Sequence, residues 1–253
     1  MSADSIQFGI VAEAASDARR GRMLVDRAIR EAEPTQSFLD GLDVDLFRRW
    51  VGLFDDEDFL DIHDVPSLAR EHRLTSLGHF SDEKAAKDAH LVRKTLMLFK
   101  RLRREIHALV ILRDTDGLQE QTEQGFEQAI TRTAVPFPVL RGLPHEAMES
   151  WLLAGYQPAN GQEQQVLDEI RQDLGYWPNR EPHRLSHKKH VKHSAKTAVW
   201  DKLCDASSDT LVRLEERCLV ESDRHTLEKN GKAAGLTGFL EVIKDDLVPL
   251  IGG

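Results

Sequence analysis

Cysteine is scarce in this chain. Cys204 and Cys218 are the only two in 253 residues. Their spacing fits neither a zinc site nor a disulfide framework, which points to a reducing, intracellular and cytoplasmic setting. No apolar run is long enough to span a bilayer. The opening stretch "MSADSIQFGIVAE" has neither a basic segment nor a long apolar one, so no signal peptide is expected. Positive charge is in deficit: 34 Lys and Arg face 43 Asp and Glu, for a net charge of −9. Bulk electrostatics therefore does not announce a nucleic-acid binder, and any such role must rest on a local basic patch. A Walker A phosphate loop is absent as well. "EKNGKAAG" holds Gly231-Lys232 but lacks the upstream glycine and the Ser or Thr that the loop needs. Neither an internal repeat nor a low-complexity tail is visible.

What remains is ordinary for a globular protein, at 40% hydrophobic and 30% charged residues. The length suits one large domain or a domain with an elaboration. "IQFGIVA", Ile6 to Ala12, reads as a buried parallel strand because it is short, apolar and partly β-branched. A helix should follow, capped by Ser16, with Met23, Leu24, Ala28 and Ile29 on its apolar face and Pro34 past its end. "DVDLFRRWVGLF" reads as a helix or an irregular piece, and the acidic "DDEDFLDIHDVP" as a loop leading into a short strand near Phe59 to Ile62. Helical spacing of Leu91, Thr95, Leu98, Leu102 and Ile106 predicts a helix from about Asp82 to Ile106, delivering the chain into a strand at His107 to Leu112. "QEQTEQGFEQAITRT" predicts another helix. "AVPFPVL" predicts an edge strand, because its prolines cannot donate to a ladder. "GLPHEAMESWLLAG" predicts a short helix. The alternation argues for an α/β fold, a parallel sheet flanked by helices over residues 1–158. Residues 159–253 read as a helical C-terminal region, with helices near 161–174, 194–206, 209–222 and 236–250.

The chemistry concentrates at "ALVILRDTDG", residues 108–117, where an apolar run stops at Arg113-Asp114-Thr115-Asp116-Gly117. In a doubly wound sheet, ligands sit beyond the carboxyl ends of the strands. Glu13 ends the first strand, and Asp114 and Asp116 end a central one. Should those strands be neighbours, three carboxylates converge, and clustered carboxylates either protonate or hold a cation. Hard oxygen donors suit Mg²⁺ or Mn²⁺. The one-residue gap directs Asp114 and Asp116 the same way off an extended segment. Gly117 then allows a sharp turn or the close approach of a phosphate.

A strand-terminal glutamate, a long α/β stretch and a strand ending in Asp-x-Asp together resemble the TOPRIM fold. That fold is shared by topoisomerases, DnaG-type primases, recombination mediators and the nucleases of the overcoming-lysogenization-defect family. "IVAEAASD" resembles the first motif, although Ala14 stands where glycine usually follows the glutamate. "VILRDTDG" resembles the second, and "LPHEAMESWLLA" the segment that carries a further glutamate in small nuclease-type members. The resemblance spans roughly residues 6–155. It implies a TOPRIM/Rossmann-like sheet and a metal-dependent nuclease acting on DNA or RNA. Glu13, Asp114, Asp116 and Glu149 would be catalytic and metal ligands, with Asp17 as a further acidic ligand and Glu146 as a weaker alternative to Glu149. Neither Tyr156 nor Tyr176 lies in a recognisable motif, which disfavours a topoisomerase, and no primase-type zinc module is visible. Family members fused to an ATPase imply a separate ATPase or sensor partner here, in a setting of anti-phage defence.

A cationic strip lies further on. Between Arg180 and Lys202 seven Lys or Arg stand against two acids, Glu181 and Asp201. Arg184, Lys188, Lys189 and Lys192, with Arg113, are the candidate nucleic-acid contacts, since cations there would hold a phosphate backbone. By resemblance Lys196, Lys188 or Lys189 would assist the scissile phosphate. His183, His187, His190 and His193 share the strip, more as polar surface than as metal ligands. The solvated-surface reading of the strip competes evenly, and Arg113 suits pairing with a neighbouring acid at least as well as phosphate contact. The acidic run Asp55 to Asp58 reads as a solvated loop. Two rival functions stand beside the nuclease: a non-catalytic TOPRIM-like interaction subunit, and a metal-dependent enzyme acting on a small phosphorylated metabolite. The sequence permits a monomer or a dimer.

Overall fold

The structure is a computed structural model and describes residues 6–32, 48–75, 79–80, 83–103 and 105–251. The fold is α/β, with a parallel sheet flanked by helices and further helices toward the C-terminus. It divides into two compact units that alternate along the chain. The first comprises 1–113, 120–142 and 241–253; the second comprises 114–119 and 143–240. The boundary expected at 158/159 falls inside the second unit, because the segments that follow the sheet strands are already part of it.

The first unit holds the sheet. Strand β1 (Ile6–Ala12) is buried on both faces from Phe8 onward, as its continuous apolar run requires. Helix α1 (Ala15–Glu31) follows. Its N-cap is Ala14, which supplies no side-chain bond, and Ser16 lies inside the helix. The expected Ser16 cap is therefore absent; Asp17 occupies the first turn instead, where the helix dipole favours an acid. Pro34 lies outside the described residues.

Strand β2 (Arg48–Val51) pairs in parallel with β1, Ile6 opposite Arg48. This corrects the helical or irregular reading of "DVDLFRRWVGLF", whose residues 43–47 lie outside the described residues. Two arginines hid the strand. Arg48 forms a two-bond ion pair with Asp26 of α1, its Nε 2.6 Å from Oδ1, and its guanidinium lies 5.4 Å from the Trp50 ring centroid. An edge strand tolerates such charge when partners on an adjacent helix neutralise it.

Strand β3 (Leu60–Asp61) pairs with the end of β1, close to where a strand was expected. Helix α2 (Val65–Glu71) and a short antiparallel pair, β4 (His79–Phe80) with β5 (Glu83–Lys84), come next. Helix α3 (Ala89–Leu102) is shorter than the predicted span from Asp82, a residue outside those described. Strand β6 (Ala108–Leu112) is wholly buried between β1 and β7 (Val139–Gly142), with α4 (Gln119–Arg132) connecting them. The spatial order β2-β1-β6-β7 makes β7 an edge, and Pro136 and Pro138 precede it rather than interrupt its ladder.

The second unit is helical: α5 (Glu149–Gly155), α6 (Gly161–Leu174), α7 (Asp201–Ala206), α8 (Leu211–Glu216) and α9 (Arg224–Gly231). Helix α10 (Leu236–Val242) closes it, Phe239 stacking on Trp151 at 5.1 Å. The chain then returns to the first unit, where the turn at Ile243–Leu247 packs on α1 before α11 (Val248–Ile251). Among the described residues no helix is long and apolar enough to cross a membrane.

Candidate functional site

In the first unit, parallel register builds an ion-pair centre at the carboxyl ends of the two middle strands. Val11 pairs with Ile111, so the residues just past each strand, Glu13 and Arg113, fall side by side. Arg113 Nη1 donates to Glu13 Oε1 at 2.5 Å, and its Nε donates to Asp88 Oδ2 at 3.3 Å. Burial alone would lower the Arg113 pKa. The charges of Glu13 and Asp88 outweigh it, and the pKa is raised. Arg113 thus serves as a charge partner for acids, the alternative already weighed against phosphate contact. Asp88 has a left-handed backbone, φ +64°, just before α3. It was missed because the predicted helix ran straight through it. Asp17 lies in the first turn of α1, where it accepts from Arg20 Nη1 at 3.0 Å.

The acidic run Asp55–Asp58 is a solvated loop, with Asp55, Asp56 and Asp58 exposed. Glu57 Oε2 accepts the Leu53 and Phe54 N–H groups at 3.1 and 3.2 Å. Asp58 pairs with Arg22 at 2.8 Å, and that hydrogen bond holds its carboxyl below the usual range.

The second unit holds the Asp-x-Asp motif. Thr115 is fully buried, and Asp114 and Asp116 on either side are half-buried. The extended geometry expected through Asp116 stops one residue early, since Asp116 is left-handed at φ +52° and Gly117 follows at φ +75°. Glu146, also left-handed at φ +67°, explains the turn. Its N–H donates to Thr115 Oγ1 at 3.2 Å, and a Cβ placed on Gly117 would lie 3.0 Å from its Oε1. Its other carboxylate oxygen accepts the His187 N–H at 3.1 Å and lies 2.7 Å from His187 Nδ1. Three left-handed residues, two of them acidic and not glycine, are the kind of stored backbone strain that gathers at functional sites.

Glu146, the weaker alternative in the sequence, is therefore the carboxylate that meets the motif's turn. Glu149 sits in the first turn of α5 and is 8% exposed. His187 counted in the sequence only as one histidine of a basic strip; its link to Glu146 spans 41 residues, a distance no local pattern reports.

The strip itself has a fold. Ser186 N–H donates to the His193 carbonyl at 2.8 Å, and Ala195 N–H donates to the Ser186 carbonyl at 2.9 Å, closing a loop on which Lys188, Lys189 and Lys192 are exposed. Lys196 is exposed just beyond. Arg184 is already engaged, paired with Glu181 at 3.0 Å and lying 3.9 Å from the Tyr176 ring centroid.

The predicted carboxylate set divides between units: Glu13 and Asp17 belong to the first, and Asp114, Asp116 and Glu149 to the second. Among the described residues, no group of three or more His, Cys, Asp or Glu is placed to hold a metal ion. Mg²⁺ commonly takes one or two protein carboxylates and fills its remaining positions with water and substrate phosphate. Asp114 and Asp116 supply a donor set of that chemistry. Comparison of the chain with family models, with curated proteins and with solved structures finds no match.

Proposed function

We propose that the chain is a divalent-metal-dependent nuclease of TOPRIM type, hydrolysing phosphodiester bonds in DNA or RNA. The observation that carries this reading is the strained turn after β6. Asp116 and Gly117 adopt consecutive left-handed conformations, with the Glu146 carboxylate 3.0 Å from where a Gly117 side chain would begin. Strain of this kind persists only where the surroundings enforce it. In this reading Asp114 and Asp116 hold Mg²⁺ or Mn²⁺, and Glu146 or Glu149 adds a further carboxylate. Bound there, such a metal readies a water and stabilises charge on the phosphate oxygens. His187 orients Glu146. Lys188, Lys189 and Lys192 hold the phosphate backbone, and Lys196 assists at the scissile phosphate. Glu13 stays with Arg113. A separate ATPase or sensor partner and a role in phage defence belong to the same proposal.

The test is cleavage of plasmid and single-stranded DNA with Mg²⁺, Mn²⁺ or EDTA, comparing the wild type with Asp114→Ala plus Asp116→Ala. Metal-dependent cleavage that the double variant loses is the expected result. One observation favours the non-catalytic interaction subunit instead: no three donors converge among the described residues, and Glu13 is already met by Arg113 at 2.5 Å. Absent cleavage together with no Mn²⁺ binding in a titration would establish that second reading.

A further inference from the structure

The second unit contains a cavity of about 720 Å³ that plays no part in the proposed nuclease chemistry. The size is that of a small-molecule site. Its walls come from the α5–α6 connection (Tyr156 to Pro158), from α6, from the loop carrying Trp177, Asn179 and Arg180, and from α9. The chemistry of the lining is one-sided. Arg180, His225 and Lys229 bring positive or protonatable groups, and four amide side chains and Thr226 bring hydrogen-bonding capacity, while among the described residues no acidic side chain lines it. His225 and Lys229 are one turn apart on α9 and so share a face. A site with several cations and no carboxylate is arranged for an anion.

One further observation narrows the anion. Trp177 is flanked by guanidinium groups, with Arg171 4.4 Å and Arg180 5.4 Å from its ring centroid. This is a flat, cationic wall of the kind on which nucleic-acid bases stack.

We propose that this cavity binds a nucleotide, its phosphate against Arg180, His225 and Lys229, its base against the Trp177–Arg180 wall. The nucleotide is either a free one or the terminal unit of a strand; the recognising chemistry is the same. The proposal does not rest on the nuclease reading, since the two sites share no residue.

Titration calorimetry on the full chain in EDTA tests it, with AMP, ribose 5-phosphate and a short 5′-phosphorylated DNA hairpin as probes. AMP should bind, and ribose 5-phosphate should bind about tenfold more weakly or worse for lack of a base. Arg180→Glu with Lys229→Glu, both exposed positions, should weaken AMP about tenfold or more with an unchanged circular dichroism spectrum. Asp114→Ala with Asp116→Ala should leave AMP binding intact, which separates this site from the nuclease centre. A hairpin that competes with AMP identifies the strand terminus as the source, and one that does not identifies the free nucleotide. Binding of neither AMP nor hairpin, equal binding of AMP and ribose 5-phosphate, or undiminished binding by the charge-reversed variant would each overturn the proposal.

Discussion

At the scale of single residues, backbone conformation and charge pairing carry most of the information. Gly117 combines φ +75° with a neighbouring carboxylate 3.0 Å from its absent Cβ. An L-residue in that conformation costs roughly 1–2 kcal/mol, so Gly117→Ala should lower the free energy of unfolding by about that much in urea denaturation. An equivalent Ala at Gly161, where among the described residues nothing would lie within 4 Å of the added Cβ, serves as the control and should change little. Arg113 makes the second residue-scale case. Its side chain is 16% exposed and bridges Glu13 and Asp88. Arg113→Ala should cost about 1–3 kcal/mol by denaturation, because partly buried charges lose a charge-assisted partner. Arg113→Lys should recover only part, since one ammonium cannot reproduce a planar fork of donors.

Elements show where sequence patterns are strong and where they fail. β1 and β6 were legible to within a residue because their signals are local, unbroken apolar runs; α6 matched its expected span, 161–174. β2 was not legible, because Arg48 finds its partners on α1 and on the Trp50 ring, while Arg49 is exposed and bonded to the Asp55 carbonyl. α9 lies between the expected helices at 209–222 and 236–250, and its polar sequence packs against α5. Of the candidate site, the Asp-x-Asp motif and its glycine were visible, whereas the Glu146–His187 link and the Glu13–Arg113–Asp88 bridge depend on contacts far apart in the chain.

The start of α6 also yields an element-scale prediction. Asn160 caps the helix by accepting the Glu163 N–H at 3.0 Å, so Asn160→Ala should cost about 1 kcal/mol. Glu163 is fully buried and accepts from Arg217 at 2.6 Å, Ser207 at 2.9 Å and the Ala159 N–H at 2.9 Å, tying the helix start to α8 and its extension. Burial pushes its pKa up, but these donors outweigh it and hold the carboxyl below its ordinary 4.5. A depressed folded pKa means that the stability Glu163 contributes is complete above that ordinary value and is lost as pH falls through the lower one. Melting temperature measured from pH 7 downward should therefore fall below pH 4.5 in the wild type and fall less steeply in Glu163→Gln. Glu163→Ala, which leaves the partly buried Arg217 with Asp209 alone, should cost about 1–3 kcal/mol at pH 7.

Over the whole molecule, charge distribution sets the conditions under which the proposed nuclease reaches its substrate. A net charge of −9 repels a polyanion, so in the proposed reading association runs through the exposed cations of the 188–196 loop. Each phosphate neutralised on duplex DNA contributes a slope of about −0.9 in log affinity against log salt, through counterion release. Replacing Lys188, Lys189 and Lys192 together by Ala should flatten that slope by roughly 2–3 if each meets one phosphate. Cleavage at saturating DNA should persist, because none of the three belongs to the proposed metal-binding set. Fluorescence anisotropy on a duplex in EDTA, across a salt series, reads the slope directly. An unchanged slope would move the contact surface elsewhere on the molecule and reduce the strip to solvated surface, whereas a flattened slope with intact cleavage separates holding the backbone from cutting it.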